Sequence, residues 1–179
     1  LHDALPICTG SGKTIILTHF MDEYFKSNHK TVFIWLTPGK GNLEEQSKEK
    51  MDQYIHGSQT KLLSDIMTDG FEENDACFIN WEKLTKKGNN ALKDSERTNF
   101  IEHIRNALNN GLNFKIIVDE SHQNDTIKAD DIIELFHSDK IIRCSATPKN
   151  YKNAIMIDIP AEDRKSTRLN SSHQAISYA

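Results

Sequence analysis

Thr9-Gly10-Ser11-Gly12-Lys13-Thr14 gathers two glycines, a cation and hydroxyls into one short run. This set suits a polyphosphate. Gly10 and Gly12 lack a Cβ, so backbone amides can turn inward and approach an anion closely. A helix that follows presents its free amino-terminal N–H groups and positive dipole end to the same anion. Lys13 can reach β- and γ-phosphates, and the Thr14 hydroxyl can ligate Mg²⁺. The fuller pattern, G-x-x-x-x-G-K-[ST], also wants a small residue where Ile7 stands. A surface turn uses the same residue types, so the rest of the chain has to decide between the two.

Two further groups follow. Asp119-Glu120-Ser121-His122 places two acids at the end of an apolar run. At a strand's carboxyl end such acids stand where open α/β sheets bind ligands. Asp119 can hold Mg²⁺ and Glu120 can orient and deprotonate an attacking water; the plain alternative is a solvated strand-to-loop junction. Ser145-Ala146-Thr147-Pro148 also follows an apolar run. Its hydroxyls can hydrogen-bond the acidic group, and Pro148 stops the strand.

The elements that must carry these groups alternate. Apolar spacing of three to four predicts helices over 13–28, 43–54, 60–68, 97–109 and 130–137, with a short helix starting at Trp81. Continuous β-rich apolar runs predict strands over 31–36, 75–80, 114–119, 140–145 and 155–159. Loops fall at 37–42, which holds two glycines, and at 86–96, which is polar and turn-rich. Strand–helix alternation gives an α/β class: a mainly parallel sheet with helices on both faces.

The 179 residues suffice for one such domain, and a net charge of −4 leaves no global attraction to nucleic acid, so any DNA contact must come from a local patch. Cys77 and Cys144 lie in apolar runs and read as buried small hydrophobes in a reducing cytosol, with Cys8 the odd third. His19, His29, His56, His103 and His137 show no metal-ligand pairing. No apolar run reaches membrane-spanning length, and no secretory signal is seen.

Both ends read as foreign. Residues 163–173 resemble a translated frame of a common sequencing-library adapter, with 174–179 its index and continuation, and residues 1–7 resemble the partner adapter. The division expected is therefore an adapter-like artefact over 1–7, a genuine insert over 8–162, and a second, disordered adapter-like artefact over 163–179. Ile7 then reads as adapter, which accounts for the missing left edge of the phosphate loop.

TGSGKT, DESH and SATP, in that order, resemble motifs I, II and III of superfamily-two helicases and translocases, which cover the first RecA-like motor domain. The first two are the Walker A and Walker B pair, the second of DExH type. The stretch from Leu36 to Ser47 is similar to motif Ia, with its Leu and Gln one residue further from Pro38 than in the common form. That variant, with Phe78-Ile79-Asn80-Trp81-Glu82-Lys83-Leu84, resembles the Res subunit of type III restriction–modification enzymes. Ser121 stands where that family often has Pro.

The resemblance implies ATP and Mg²⁺ as cofactors. It places Thr9, Gly10, Ser11, Gly12, Lys13 and Thr14 on the nucleotide phosphates, Thr14 and Asp119 on the metal, and Glu120 on the water. His122, Ser145 and Thr147 would couple nucleotide state to DNA. Thr37, Lys40, Asn42 and Asn80 are candidates for the DNA backbone. Double-stranded DNA and a modification (methyltransferase) subunit would be the partners, in the cytoplasm. A general DEAD/DEAH-box helicase is the nearest alternative. A P-loop kinase or a nucleotide-binding scaffold is the alternative of another class, although the kinase reading explains neither SATP nor the long motif Ia. Motifs IV to VI and a nuclease motif are not seen, so the chain alone is expected to bind nucleotide weakly without DNA-stimulated turnover.

Overall fold

The computed structural model describes residues 2–6, 12–39, 42–84, 93–119, 126–145 and 154–156. Seven strands form one sheet in the order β3-β4-β2-β5-β6-β1-β7. They are β1 (His2–Pro6), β2 (Thr31–Thr37), β3 (Gln59–Leu62), β4 (Asp75–Asn80), β5 (Asn113–Val118), β6 (Lys140–Ser145) and β7 (Ala154–Met156). Every pairing is parallel. The helices are α1 (Lys13–Ser27), α2 (Leu43–Tyr54), α3 (Leu63–Asp69), α4 (Trp81–Leu84), α5 (Asp94–Asn109) and α6 (Thr126–Leu135). This is the expected α/β class in a RecA-like arrangement.

Alternation along the strands supplies two cores. Val32, Ile34 and Leu36 of β2 join Cys77, Ile79, Phe114 and Ile116 on one face, under α3, α4, α5 and α6. Phe33 and Trp35 join Phe78 and Ile117 on the other, under Leu17 and Met21 of α1 and Met51 of α2. All seven residues of β2 are buried, as a strand covered on both faces requires. Each large side chain so placed contributes roughly 1.5–3 kcal/mol by leaving water.

Three expectations change. The helix expected over 60–68 is instead β3 followed by α3. Gln59 to Leu62 extend the sheet edge in register with Asp75 to Phe78. The break comes from Asp65, whose carboxylate accepts the Leu62 N–H at 2.8 Å and caps the start of α3. The start of α5 lies at Asp94 rather than 97, because the Glu96 carboxylate takes the Lys93 N–H at 2.8 Å. Helix α6 runs from Thr126 to Leu135 rather than over 130–137. The buried stripe of Ile132, Ile133 and Phe136 marks where that helix packs, not where it begins, and His137 ends it at a positive φ of 49°.

The adapter resemblance left the first residues without an expected element. As backbone, residues 2–6 are a strand between β6 and β7, paired with both. The slot is a parallel ladder that takes its hydrogen bonds from main chain alone, so it admits sequences with little side-chain signal. The expected strand over 155–159 is described only as Ala154–Met156, and the expected 86–96 loop and the tail from 163 lie largely or wholly outside the described residues.

Candidate functional site

The strand order brings three strand tips together. β6 lies between β5 and β1, with Pro6 in register with Ser145 and Val118 with Arg143. The segment after β1 leads to Gly12 and α1, the segment after β5 begins with Asp119, and β6 ends at Ser145. The three strand ends that lead into the sequence groups therefore stand side by side at the carboxyl edge of the sheet, where α/β sheets hold ligands.

Gly12 caps α1 from the left-handed region, at φ 79° and ψ 14°. A Cβ there would meet nothing within 4 Å, so the demand for glycine is conformational rather than spatial. Its carbonyl accepts the Ile16 N–H at 3.1 Å and starts the helix. Lys13 follows, 8% exposed, and its ammonium forms an ion pair with the Asp119 carboxylate. Asp119 is anchored in turn, since its N–H donates to the Leu36 carbonyl at 2.9 Å and so prolongs the β5–β2 ladder by one bond. Thr14 is half-buried in the first turn of α1. Two of the predicted groups are thus in contact: the cation after the glycine loop and the first acid after β5. Thr9, Gly10, Ser11, Glu120, Ser121, His122 and Thr147, and the side chain of Ser145, lie outside the described residues.

The candidates for DNA are placed differently. Thr37 and Asn80 are register partners at the ends of β2 and β4. Thr37 is 1% exposed, and its hydroxyl has no hydrogen-bond partner among the described residues. Asn80 is buried too, and its Oδ1 accepts the Glu82 N–H at 3.0 Å, which starts α4. Asn42 is exposed at φ 50° and caps α2. Lys40 lies outside the described residues. Close by, a Cβ on Gly39 would meet the Glu82 carboxylate, the end of an exposed and flexible side chain that can move aside.

Some anchoring residues escaped the sequence reading. Arg143, 4% exposed in β6, pairs with Asp130 of α6, and so joins the strand leading to Ser145 to the helix that follows the acidic group. Lys115, buried in β5, pairs with Asp139. Their signal was present: a cation inside an otherwise apolar strand must bring a carboxylate with it. Burial opposes ionisation of Asp139, yet the Lys115 hydrogen bond and charge hold its carboxyl below the usual value. Cys77 is fully enclosed, and burial pushes its thiol well up, as its reading as a small hydrophobe implies.

Among the described residues, no helix is long and apolar enough to cross a membrane. No group of three or more His, Cys, Asp or Glu among them could hold a metal ion. Comparison with curated proteins gives no match. The family model described as "Type III restriction enzyme, res subunit" matches residues 4–150. That span covers most of the 179 residues and takes in all three strand tips and both DNA-candidate tips. The chain therefore belongs to the res-subunit family of type III restriction enzymes, a family of helicase-like ATPase motors.

Proposed function

We propose that the chain is the ATP-binding motor domain of a DNA-dependent ATPase and translocase within a type III restriction endonuclease subunit. The supporting observation is the Lys13–Asp119 ion pair, which joins the phosphate-loop helix to the acidic strand tip across β6. In this reading Thr9 to Thr14 hold the nucleotide phosphates. Lys13 leaves Asp119 for the β- and γ-phosphates when nucleotide arrives.

Thr14 and Asp119 are hard oxygen donors, and one carboxylate and one hydroxyl beside substrate phosphates suit Mg²⁺, which keeps several waters and rarely takes an all-protein cage. Mg²⁺ would supply charge neutralisation between the phosphates. Glu120 then orients and deprotonates the attacking water, and His122, Ser145 and Thr147 relay the change to DNA. Asn42, exposed at the start of α2, and Lys40 are the readier contacts for a DNA backbone. Buried Thr37 and Asn80 reach it only if their loops open. Double-stranded DNA and a modification subunit are the proposed partners, in the cytoplasm.

For the chain on its own we propose nucleotide binding without turnover. The superfamily resemblance implies a cleft completed by arginines from a second RecA-like domain, and a single sheet occupies the described residues here. Phosphate release by the purified chain with ATP, Mg²⁺ and duplex DNA tests this: no DNA-stimulated release is expected, and robust release abolished by Lys13→Ala would overturn it. In the longer protein that carries this motor, Glu120→Gln should keep ATP binding and block hydrolysis. Unchanged turnover would remove Glu120 from the mechanism.

A further inference from the structure

At the sheet edge away from the ion pair, a groove of about 430 Å³ opens beside the tips of β3 and β4. That volume falls in the range of sites that hold a small group, roughly 300–1,000 Å³. Its walls have two characters. Leu62, Leu63, Met67 and Phe78 make an apolar floor, whereas Glu44, Glu45 and Glu96 bring three carboxylates. One cation, Lys83, also lines it, and its ammonium is already held by Glu44 Oε1 at 3.0 Å. Glu44 is the informative member. It is 4% exposed, and its Oε2 has no hydrogen-bond partner among the described residues. A buried carboxylate oxygen left in this state is costly and calls for a donor.

We infer that the groove is a docking site for an arginine side chain carried by a partner polypeptide. An arginine has an apolar stem for the floor and a planar, five-donor head that satisfies carboxylates in pairs. A divalent ion fits less well, because the three carboxylates do not form a group that could hold a metal, and Glu44 is already engaged by Lys83. A nucleic-acid phosphate fits worse, since it would face three carboxylates against one engaged ammonium. Asn80, a candidate for the DNA backbone, lines this same groove, so its surroundings favour a cation over a phosphate.

The inference does not depend on the nucleotide site. The full chain, labelled with ¹³C at its methionine methyls and with the Met67 signal assigned by Met67→Leu, is titrated with acetyl-Leu-Arg-Leu-amide. A saturable Met67 shift with a millimolar midpoint is expected, and acetyl-Leu-Gln-Leu-amide should leave the signal in place. Glu44→Gln should weaken binding by about fivefold or more, as for loss of one charge-assisted contact. Glu45→Gln and Glu96→Gln, both at exposed positions, carry the same expectation should Glu44→Gln fail to fold. No saturable shift, an equal shift with the glutamine peptide, or a Met67 shift with a dT oligonucleotide instead would overturn the proposal. So would peptide binding that appears only after Lys86→Ser/Lys87→Ser, which would assign the groove to the chain's own basic pair.

Discussion

Lys13 and Asp119 hold one another with side chains only 9% and 11% exposed. Each makes the other's burial tolerable, because an ammonium or carboxylate stripped of water without a counter-charge costs several kcal/mol. Lys13→Met should therefore destabilise the chain by roughly 3 kcal/mol, as breaking a buried pair does, while adding Asp119→Asn should recover much of the loss. Urea unfolding of the two single variants and the double closes this cycle; additive losses would mean that the pair carries no coupling. Both residues were legible in the sequence, Lys13 as a phosphate contact and Asp119 as an Mg²⁺ ligand, although their pairing with each other was not read. Lys after Gly-x-Gly and Asp after an apolar strand each announce a charge that needs an opposite one. Glu44 announced nothing of the kind, since an acid in the first turn of a polar helix reads as ordinary dipole complement.

Elements with two-sided burial were readable because five consecutive apolar residues, Val32 to Leu36, behind the β-branched Thr31 admit few other structures. The helix α2 was found at both ends, although only Glu44, Ser47 and Met51 of it are buried. The edge strand β3 was not found. Gln59 is exposed and the other three residues are half-exposed, and their polar-apolar mixture fits a helix face as well as a sheet edge. What fixes it lies in other elements. Asp52 of α2 accepts hydrogen bonds from Thr60 Oγ1 at 2.6 Å and Ser58 Oγ at 3.1 Å, and Lys61 pairs with Asp75 of β4 at 2.8 Å.

Burial works against ionised Asp52, but its bonds from Lys48, Thr60 and Ser58 prevail and hold its carboxyl below the usual value. A depressed folded-state value gives stability that is present above the unfolded value and lost as pH falls through the folded one. Asp52→Asn should thus be less stable than the parent chain at neutral pH, with the difference closing as pH drops below the carboxylate range. Thermal unfolding followed from pH 7 down to about pH 2 checks this, and a difference that does not narrow over that range would assign the tie to something other than the carboxylate charge.

For the molecule as a whole, the parallel sheet followed from strand–helix alternation, and the meeting of three strand tips followed from the strand order, which no local pattern encodes. Position β1 was the least legible part. Its residues were set aside from the fold reading on their likeness to an adapter, so the strand they form between β6 and β7 was not read. Main-chain pairing across both edges supplies what the side chains did not advertise.

That slot has a consequence in time. His2 pairs with Ile141, so the first strand waits for almost the last one, whereas β2, β4 and β5 join through shorter separations. Closing so long a loop is slow, because its entropy must be met before any contact returns it. The β2–β4–β5 half should gain amide protection first, and β1 should join it last. Pulse-labelled hydrogen exchange during refolding reads this order directly, and simultaneous protection of β1 and β5 would refute it. On a ribosome the consequence is sharper. There β1 cannot take its place beside β6 until β6 has been synthesised, so this edge of the sheet is the part that closes last.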